Sequence, residues 1–354
     1  MIHIIVQRAH EYTVRNFTDT WGRKLRGRIV VLNYDELPHA RRLPRGTYIF
    51  ADHDRLSDEQ LELATVVADC LEAAGCKVLS HPGRVLRRTP LLDTLHRAGI
   101  NDFRAMKVNA GLPDDIRFPV FLRLADDHAG PKTGLLDDRA ALDAAIDTSP
   151  HKGDPHLIAV EFCDTRDDGV GPYRKYAAMR VGDRLIPRHC FASEGWVTKL
   201  NDKVDDSWIE HEAAYFDQFK ERYAADVMKV FELAGIEYGR LDFAITNGRM
   251  RVWEINSNTM LVSTPDVIDA RRIVRQAWSA KQIVDAITAL DDTLPPDAGS
   301  VPIRLDRSLR RRAGETTGQA IGRIFGKTLY RLRNFPGVPS FQAGIERAQW
   351  LARR

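Results

Sequence analysis

Hydrophobic and polar positions in the N-terminal part of the chain switch between strand and helix periodicity. Helices are predicted from Ser57 to Ala74, where Ser57 and Gln60 have capping-box spacing, and from Thr89 to Ala98. Short apolar runs predict buried strands at Met1 to Gln7, Gly27 to Leu32, Arg45 to Phe50 and Cys76 to Leu79. Strands that alternate with helices predict a small α/β domain with a parallel sheet, ending near Phe103.

The next part of the chain begins with an apolar run, Phe118 to Leu124, that is interrupted by Arg123. The polar, glycine-containing loop after this run lacks the GK[ST] sequence of a Walker loop. Arg123 beside the loop can receive phosphate, or it can lie on the strand with its head in solvent. Further predicted elements are a helix from Asp137 to Ile146, strands from Leu157 to Cys163, Arg174 to Val181 and Arg184 to Arg188, and helices from Ser207 to Ala234 and Arg271 to Leu290.

The stretch from Gly239 to Leu261 predicts a β-hairpin with clustered acids that reverses at Asn247-Gly248. A two-residue turn there would place Asp242 and Glu254 on opposite sheet faces, whereas a three-residue loop would place them on one face. The three-residue loop is favoured because it gathers the apolar residues on the other face: Leu241, Phe243, Ile245, Trp253 and Ile255. The two carboxylates and the amide of Asn256 would then form a hard-oxygen site suited to Mg²⁺, and the alternative is a solvated strand face.

Composition places the chain among ordinary globular proteins of two or three domains, with 354 residues, 44% of them apolar and 29% charged. The net charge is +3, but residues from Arg304 onward carry twelve basic and three acidic side chains. The hairpin from Arg174 to Arg188 is also basic, so it could contact nucleic acid, contact phosphate or simply be solvated, and its few interleaved aromatic residues favour phosphate. The four cysteines lack paired spacing, so neither a zinc site nor a disulfide framework is expected, and a reducing cytoplasm is the expected setting.

Neither end of the chain predicts a membrane span. The apolar run at Ile2 to Val6 is too short for the core of a signal peptide, and we expect a soluble body. Leu294 to Gly299 has the composition of a linker. Beyond it, an apolar stripe with basic neighbours predicts a helix that binds a membrane surface or a partner, or one that docks on the protein's own core. The stripe consists of Ile321, Ile324, Phe325, Leu329 and Leu332.

Five motifs resemble the ATP-grasp superfamily, and most of all its amino-acid-ligating and glutathione-synthase-like members. They are Phe118–Arg123, Val160–Phe162, Arg174–Tyr176, Leu241–Phe243 and Trp253–Asn256. The resemblance implies an α/β fold, α+β in its central part, with an N-terminal α/β domain at 1–103 and an ATP-grasp domain at 104–294. The latter would comprise a nucleotide-clasping subdomain, 104–165, and a metal-binding subdomain, 166–294, followed by a linker and basic helical extension at 295–354.

The same resemblance implies roles for individual residues, with ATP and Mg²⁺ or Mn²⁺ as cofactors. The implied metal ligands are Asp242, Glu254 and Asn256. The implied nucleotide-binding residues are Lys107, Arg123, Glu161, Phe162, Asp164 and Lys175. Among these, the strand around Glu161 would face adenine through its backbone, and Asp164 would lie near the ribose.

Four basic residues are the implied catalytic group: Arg123, Arg174, Lys175 and Arg188. Arg174 and Lys175 would approach the terminal phosphates, and Arg123 stands where the family usually has a phosphate-binding lysine. Arg188 is placed in this group by its position at the end of the basic hairpin, not by the resemblance: it would meet the carboxylate substrate or its acyl phosphate, and the alternative is surface charge.

The resemblance thus implies an ATP-dependent ligase that joins a small-molecule carboxylate to an amine through an acyl phosphate. Nucleic acid is not an expected partner, and a homo-oligomer is left open. Two departures from the family pattern are the arginine at Arg123 and the segment after Asn256, which lacks the usual proline and glycine. They motivate the alternative of a catalytically inactive or regulatory ATP-binding protein with the same fold.

Overall fold

The computed structural model describes residues 1–127, 129–198, 205–265, 268–291 and 299–313. Its strands are β1 (Ile2–Val6), β2 (Ile29–Asn33), β3 (Arg42–Pro44), β4 (Thr47–Phe50), β5 (Lys77–Leu79), β6 (Ala105–Lys107), β7 (Val120–Leu124), β8 (Leu157–Glu161), β9 (Tyr173–Val181), β10 (Arg184–Ser193), β11 (Tyr238–Thr246), β12 (Arg249–Asn256) and β13 (Ser300–Pro302). Its α-helices are α1 (Tyr12–Asp19), α2 (Asp58–Ala73), α3 (Arg88–Arg97), α4 (Arg139–Thr148), α5 (Asp206–Arg222), α6 (Ala224–Ala234), α7 (Ile273–Leu290) and α8 (Arg307–Arg312). The predicted α/β fold class is confirmed.

The N-terminal sheet is parallel, with strand order β2-β1-β4-β5. Successive residues of β1 alternate between two apolar cores, so that Ile4 packs on one face and Ile5 on the other. Ser57 caps α2 through the predicted capping box with Gln60. The pattern of strands and helices in this part of the sequence therefore predicted its structure well.

The other two large sheets are antiparallel. The central sheet has the order β6-β8-β7, and α4 lies between β7 and β8 in the chain. The C-terminal sheet has the order β10-β9-β11-β12. The helices α5, α6 and α3 cover one face of the C-terminal sheet, where Tyr176, Leu241 and Phe243 are buried with Leu91 of α3. On the other face, Met179, Val181 and Ile186 are buried with Ile283 of α7, and the site occupies the remaining part.

Several predicted boundaries differ from the structure; for example, the strand predicted from Arg184 to Arg188 continues to Ser193. The long helix expected from Ser207 to Ala234 is two helices, because Tyr223 leaves the helical conformation at φ −125° and packs on Tyr215. Residues 299–313 return to the N-terminal sheet region rather than extending away, since β13 pairs with β3 and Leu309 joins the core beneath α2. The predicted amphipathic tail stripe lies outside the described residues. Within the described residues, no helix is both long and apolar enough to cross a membrane.

Candidate active site

A cavity of about 350 Å³ lies between the central and C-terminal sheets. The central sheet contributes Phe121 and Arg123 from β7 and the end of β8 around Glu161. The C-terminal sheet contributes residues of the face opposite α5 and α6, including Lys175 and Asp242. The cavity is therefore enclosed by segments that are far apart in sequence and that the fold brings together.

The hairpin of β11 and β12 places its two acids on one face, as predicted, but its turn and its strand register differ from the prediction. Asn247 and Gly248 form a two-residue turn with φ of 49° and 74°, and Thr246 pairs directly with Arg249. Such a turn alone would separate the acids, but a β-bulge follows: Phe243 pairs with Val252, whereas the next pair is Asp242 with Glu254. The prediction that these carboxylates share a face is confirmed, and the prediction of a three-residue loop is wrong.

Trp253 is the extra residue of this bulge, and its predicted position is also wrong. It was expected on the apolar face with Leu241 and Phe243, but it lines the cavity beside Glu254. A bulge removes the strict alternation of side chains, so two consecutive residues lie on the side of the cavity. Trp253 packs against the apolar cluster that includes Phe103.

Each carboxylate of the pair is matched by cations. Asp242 accepts a hydrogen bond from Arg240 Nε at 2.8 Å, and Lys175 Nζ lies 3.7 Å from its Oδ2. Glu254 pairs with Arg88, and Arg123 Nη2 lies 3.6 Å from its Oε2. These groups are mostly buried, so screening by solvent is weak. The face is thus densely charged, with four cations around two carboxylates.

Arg123 is buried next to another cation, Arg88. Burial, followed by repulsion from Arg88, lowers the pKa of Arg123 to about 10, so the guanidinium remains charged at neutral pH. Its Nε is buried without a hydrogen-bond partner within the described residues. A buried donor that lacks a partner favours the approach of an acceptor, such as a phosphate oxygen.

The residues of this face fit a divalent metal ion. Asp242 and Glu254 stand directly opposite each other, and Asn256 lies on the same face, pairing with Arg240 and lining the same cavity. A small number of hard oxygen donors suits Mg²⁺, because its other coordination positions are usually filled by water and phosphate oxygens. In the described part of the chain no group of three or more His, Cys, Asp or Glu residues could hold a metal ion.

Several predicted site residues lie elsewhere. Arg174 precedes Lys175 on β9 and therefore lies on the opposite sheet face, toward α5, and it does not line the cavity. Lys107 is exposed at the end of β6, outside the cavity lining. Arg188 is buried, so its reading as surface charge is wrong, but it also lies outside the lining.

Two residues near the predicted adenine strand have their carboxylates occupied by other groups. Glu161 accepts from Arg104 Nη2 at 2.7 Å and from the backbone N–H of Arg117 at 2.9 Å. Burial alone would raise the pKa of Glu161, but these bonds lower it. Asp164 pairs with Arg166 at 2.6 Å. The backbone N–H of Glu161 is also engaged, since it donates to the Arg104 carbonyl at 3.0 Å, and the contact of this strand with adenine stays a prediction.

The sequence reasoning missed Arg88 and Arg240 as site residues. Arg240 stands two residues before Asp242, so strand alternation could have placed both on one face. Arg88, at the start of α3, also donates to the carbonyl oxygens of Ala125 and Asp127, both at 2.7 Å. It thereby joins the loop after β7 to Glu254, a connection for which the sequence gives no local signal.

The segment after Asn256 is fixed to α1 and to the residues that follow β4. Ser257 Oγ accepts from the backbone N–H of His53 at 3.1 Å, and Thr13 donates to Asn258 Oδ1 at 2.6 Å. The Asn258 amide donates in turn to the buried Asp52 at 3.2 Å. These bonds hold the segment in place without the proline and glycine expected from the family pattern.

Two sheets thus enclose a cavity, and the C-terminal sheet contributes paired acids with neighbouring cations to its wall. No family model and no curated protein matches the chain. The chain is similar to the solved structure of D-alanine–D-alanine ligase from Bacillus anthracis complexed with ATP, at 13% identity over 80% of this chain and 98% of that one, with a TM-score of 0.47. It is also similar to a RimK domain protein ATP-grasp from Sphaerobacter thermophilus, at 16% identity over 81% and 100% of the two chains, with a TM-score of 0.46.

A third similar structure is VanG D-Ala:D-Ser ligase from Enterococcus faecalis, at 13% identity over 82% of this chain and 98% of that one, with a TM-score of 0.46. The superfamily that the sequence motifs indicated is thus the one named among the similar solved structures. At these identities the likeness concerns the fold. The functional proposal therefore rests on the side chains that line the cavity.

Proposed function

We propose that the chain is an ATP- and Mg²⁺-dependent ligase that joins a carboxylate to an amine through an acyl phosphate. The observation that carries this proposal is the pairing of Asp242 with Glu254 on the wall of a cavity that also holds Lys175 and Arg123. Paired acids surrounded by cations suit a metal-bound polyphosphate, because the metal takes the acids and the cations then face phosphate oxygens.

The aromatic side of the cavity suits the nucleotide base. Trp196 lies 4.9 Å from the ring of Phe121 and 5.9 Å from that of Phe162, between centroids. Phe121 lies on β7, Phe162 directly follows β8, and all three rings line the cavity. Adenine between this aromatic group and β8 would direct its phosphates toward Lys175 and the acids.

Asp242, Glu254 and Asn256 would hold the metal ion, which when bound neutralises phosphate charge and orients the oxygens of the transferring group. Lys175 and Arg240, released from Asp242, would then face the same phosphates. Arg123 would act from the opposite wall of the cavity. Fixed cations in a site with little water stabilise the charge that develops during phosphoryl transfer more strongly than water does.

The chemistry needs no side-chain nucleophile. An oxygen of the substrate carboxylate forms a bond to the γ-phosphorus while the bond to the bridging oxygen of ADP breaks. The amine nitrogen then bonds to the carbonyl carbon, the bond to phosphate breaks, and the amine loses a proton. The protein's task is to position the reactants and balance their charge, which is what the cavity wall supplies.

The proposal is tested by measuring phosphate release and mass gain with ATP, Mg²⁺ and a pool of carboxylates and amines. We expect turnover by the wild-type chain and a loss of at least about 100-fold in Asp242→Asn and in Glu254→Gln. Asp183→Asn, in an exposed turn of the same sheet, is the matched control and should retain activity. Circular dichroism checks folding.

The alternative, a regulatory ATP-binding protein, predicts nucleotide binding without turnover under every substrate pool. That result would overturn the ligase proposal while preserving the nucleotide site. Equal turnover in the wild type and both acid variants would overturn the assignment of the site itself.

A further inference from the structure

A second bulge, in β10, places a buried arginine beside the cavity. Pro187 pairs with Ala178 and His189 with Ala177, which leaves Arg188 as the extra residue. Helix α7 fixes this bulge, because Ser279 Oγ donates to the Pro187 carbonyl at 2.8 Å and Gln276 Nε2 to the Arg188 carbonyl at 3.0 Å. The position of the Arg188 backbone is therefore determined by packing.

Arg188 is 4% exposed, and its Nη1 has no hydrogen-bond partner within the described residues. The same is true of Nε2 of the neighbouring His189, whose ring stacks on Phe191 with centroids 3.9 Å apart. Burying an unpaired guanidinium is costly, so its presence calls for an anionic partner.

The carboxylates near this arginine are already occupied. Both oxygens of Glu212 accept from Arg272, at 2.7 and 2.8 Å, and Oε1 also accepts from the backbone N–H of Cys190. Asp242 is taken by Arg240 and Lys175. Neither acid therefore has an oxygen directed to Arg188 in the described structure.

We name Lys175, Arg188, His189, Arg240 and Arg272 the basic cluster. Burial lowers the pKa of His189 well below its ordinary value, and repulsion from the other four members, Arg240 first, lowers it further. Burial and then repulsion from Arg240 lower the pKa of Arg188 to about 9, which leaves it charged at neutral pH. Four cations thus surround one neutral imidazole and share two carboxylates, an excess of positive charge that a bound metal ion at Asp242 would increase.

We propose that Arg188 and His189 bind a second carboxylate of the acid substrate, separate from the one that is phosphorylated, so that the substrate class is dicarboxylic. This inference rests on the proposed function. Lys175 and Arg240 line the cavity and are assigned to the ATP phosphates, whereas Arg188 is not among the lining residues. A planar guanidinium matches a carboxylate with two parallel hydrogen bonds. The substrate would place the carboxylate that is phosphorylated at the ATP phosphates and its second carboxylate at Arg188 and His189.

The test measures binding without nucleotide, so it does not depend on turnover. The probes are the dicarboxylates from malonate to adipate, each matched with the monocarboxylate of equal carbon number, in calorimetric titrations and thermal shift assays. We expect the wild-type chain to bind at least one dicarboxylate at least about tenfold more tightly than its matched monocarboxylate. Arg188→Met should abolish this preference, and Arg184→Met, at an exposed position of β10, should retain it.

Arg188→Met should also raise the melting temperature of the ligand-free protein, because an apolar side chain replaces an unpaired buried charge. A merely structural arginine would give the opposite shift. Arg188→Lys, which keeps the charge, should retain a weaker preference for the dicarboxylate and serves if the methionine variant fails to fold. Equal binding of dicarboxylates and monocarboxylates by the wild type, or an unchanged preference in both Arg188 variants, would overturn the proposal.

The two proposals fail in different ways. If dicarboxylates bind through Arg188 but no pool supports phosphate release, the ligase proposal falls and the anion site stands. If the wild type turns over monocarboxylates and the Arg188 variants match it, the ligase proposal stands and the dicarboxylate site falls.

Discussion

At the scale of single residues, strand alternation decides which charges belong to the site. Arg174 and Lys175 are neighbours in sequence and both were predicted to approach the phosphates, but only Lys175 lines the cavity. The sequence could have separated them, because adjacent residues of one strand face opposite sides of the sheet. Arg88 could not have been found in this way, since it reaches Glu254 from a helix in another part of the chain.

The pair Arg174 and Lys175 gives a matched test of the cavity wall. Lys175→Met should lower kcat/KM for ATP by at least about tenfold, because it removes a cation that faces the phosphates. Arg174→Met removes the same charge from the opposite face and should change kcat/KM less than about threefold. Steady-state kinetics measure both. A larger effect at Arg174 than at Lys175 would contradict the assignment of the two faces.

At the scale of elements, the hairpin joins a tight turn to a bulge. The Asn247-Gly248 signal and the apolar alternation predicted the hairpin and the shared face of the acids. They could not predict the bulge at Trp253, because one inserted residue leaves the same hydrophobic pattern as a longer loop does. The helix pair α5 and α6 shows the same limit, since the apolar period continues through the break at Tyr223.

The two-residue turn predicts a specific cost at Gly248. Its φ is 74°, and a Cβ there would meet no atom within 4 Å, so an alanine would be penalised by conformation alone. Gly248→Ala should lower the free energy of unfolding by about 1 kcal/mol. Gly134→Ala is the control, because its Cβ also has open space and no positive φ. Urea unfolding measures both, and equal stability of the two variants would contradict the turn geometry.

At the scale of the whole molecule, function depends on contacts between distant parts of the chain. The cavity forms only where the central sheet meets the C-terminal sheet, and the segment after Asn256 is tied to α1 and to Asp52 through Asn258. Sequence patterns predicted the order of these units, but not how closely they meet. The return of residues 299–313 to the N-terminal core could not be predicted from the sequence either, because Val301 pairs with Leu43, which is far away in the sequence.

The central claim is that Asp242, Glu254 and Asn256 hold a metal ion together with ATP in this cavity. The most direct measurement is electron paramagnetic resonance of free Mn²⁺ during titration of the protein with a non-hydrolysable ATP analogue present. We predict that the wild-type chain and Asp183→Asn deplete the free Mn²⁺ signal, and that Asp242→Asn and Glu254→Gln weaken this binding by about tenfold or more. Equal Mn²⁺ affinity in the wild type and both acid variants would contradict the account.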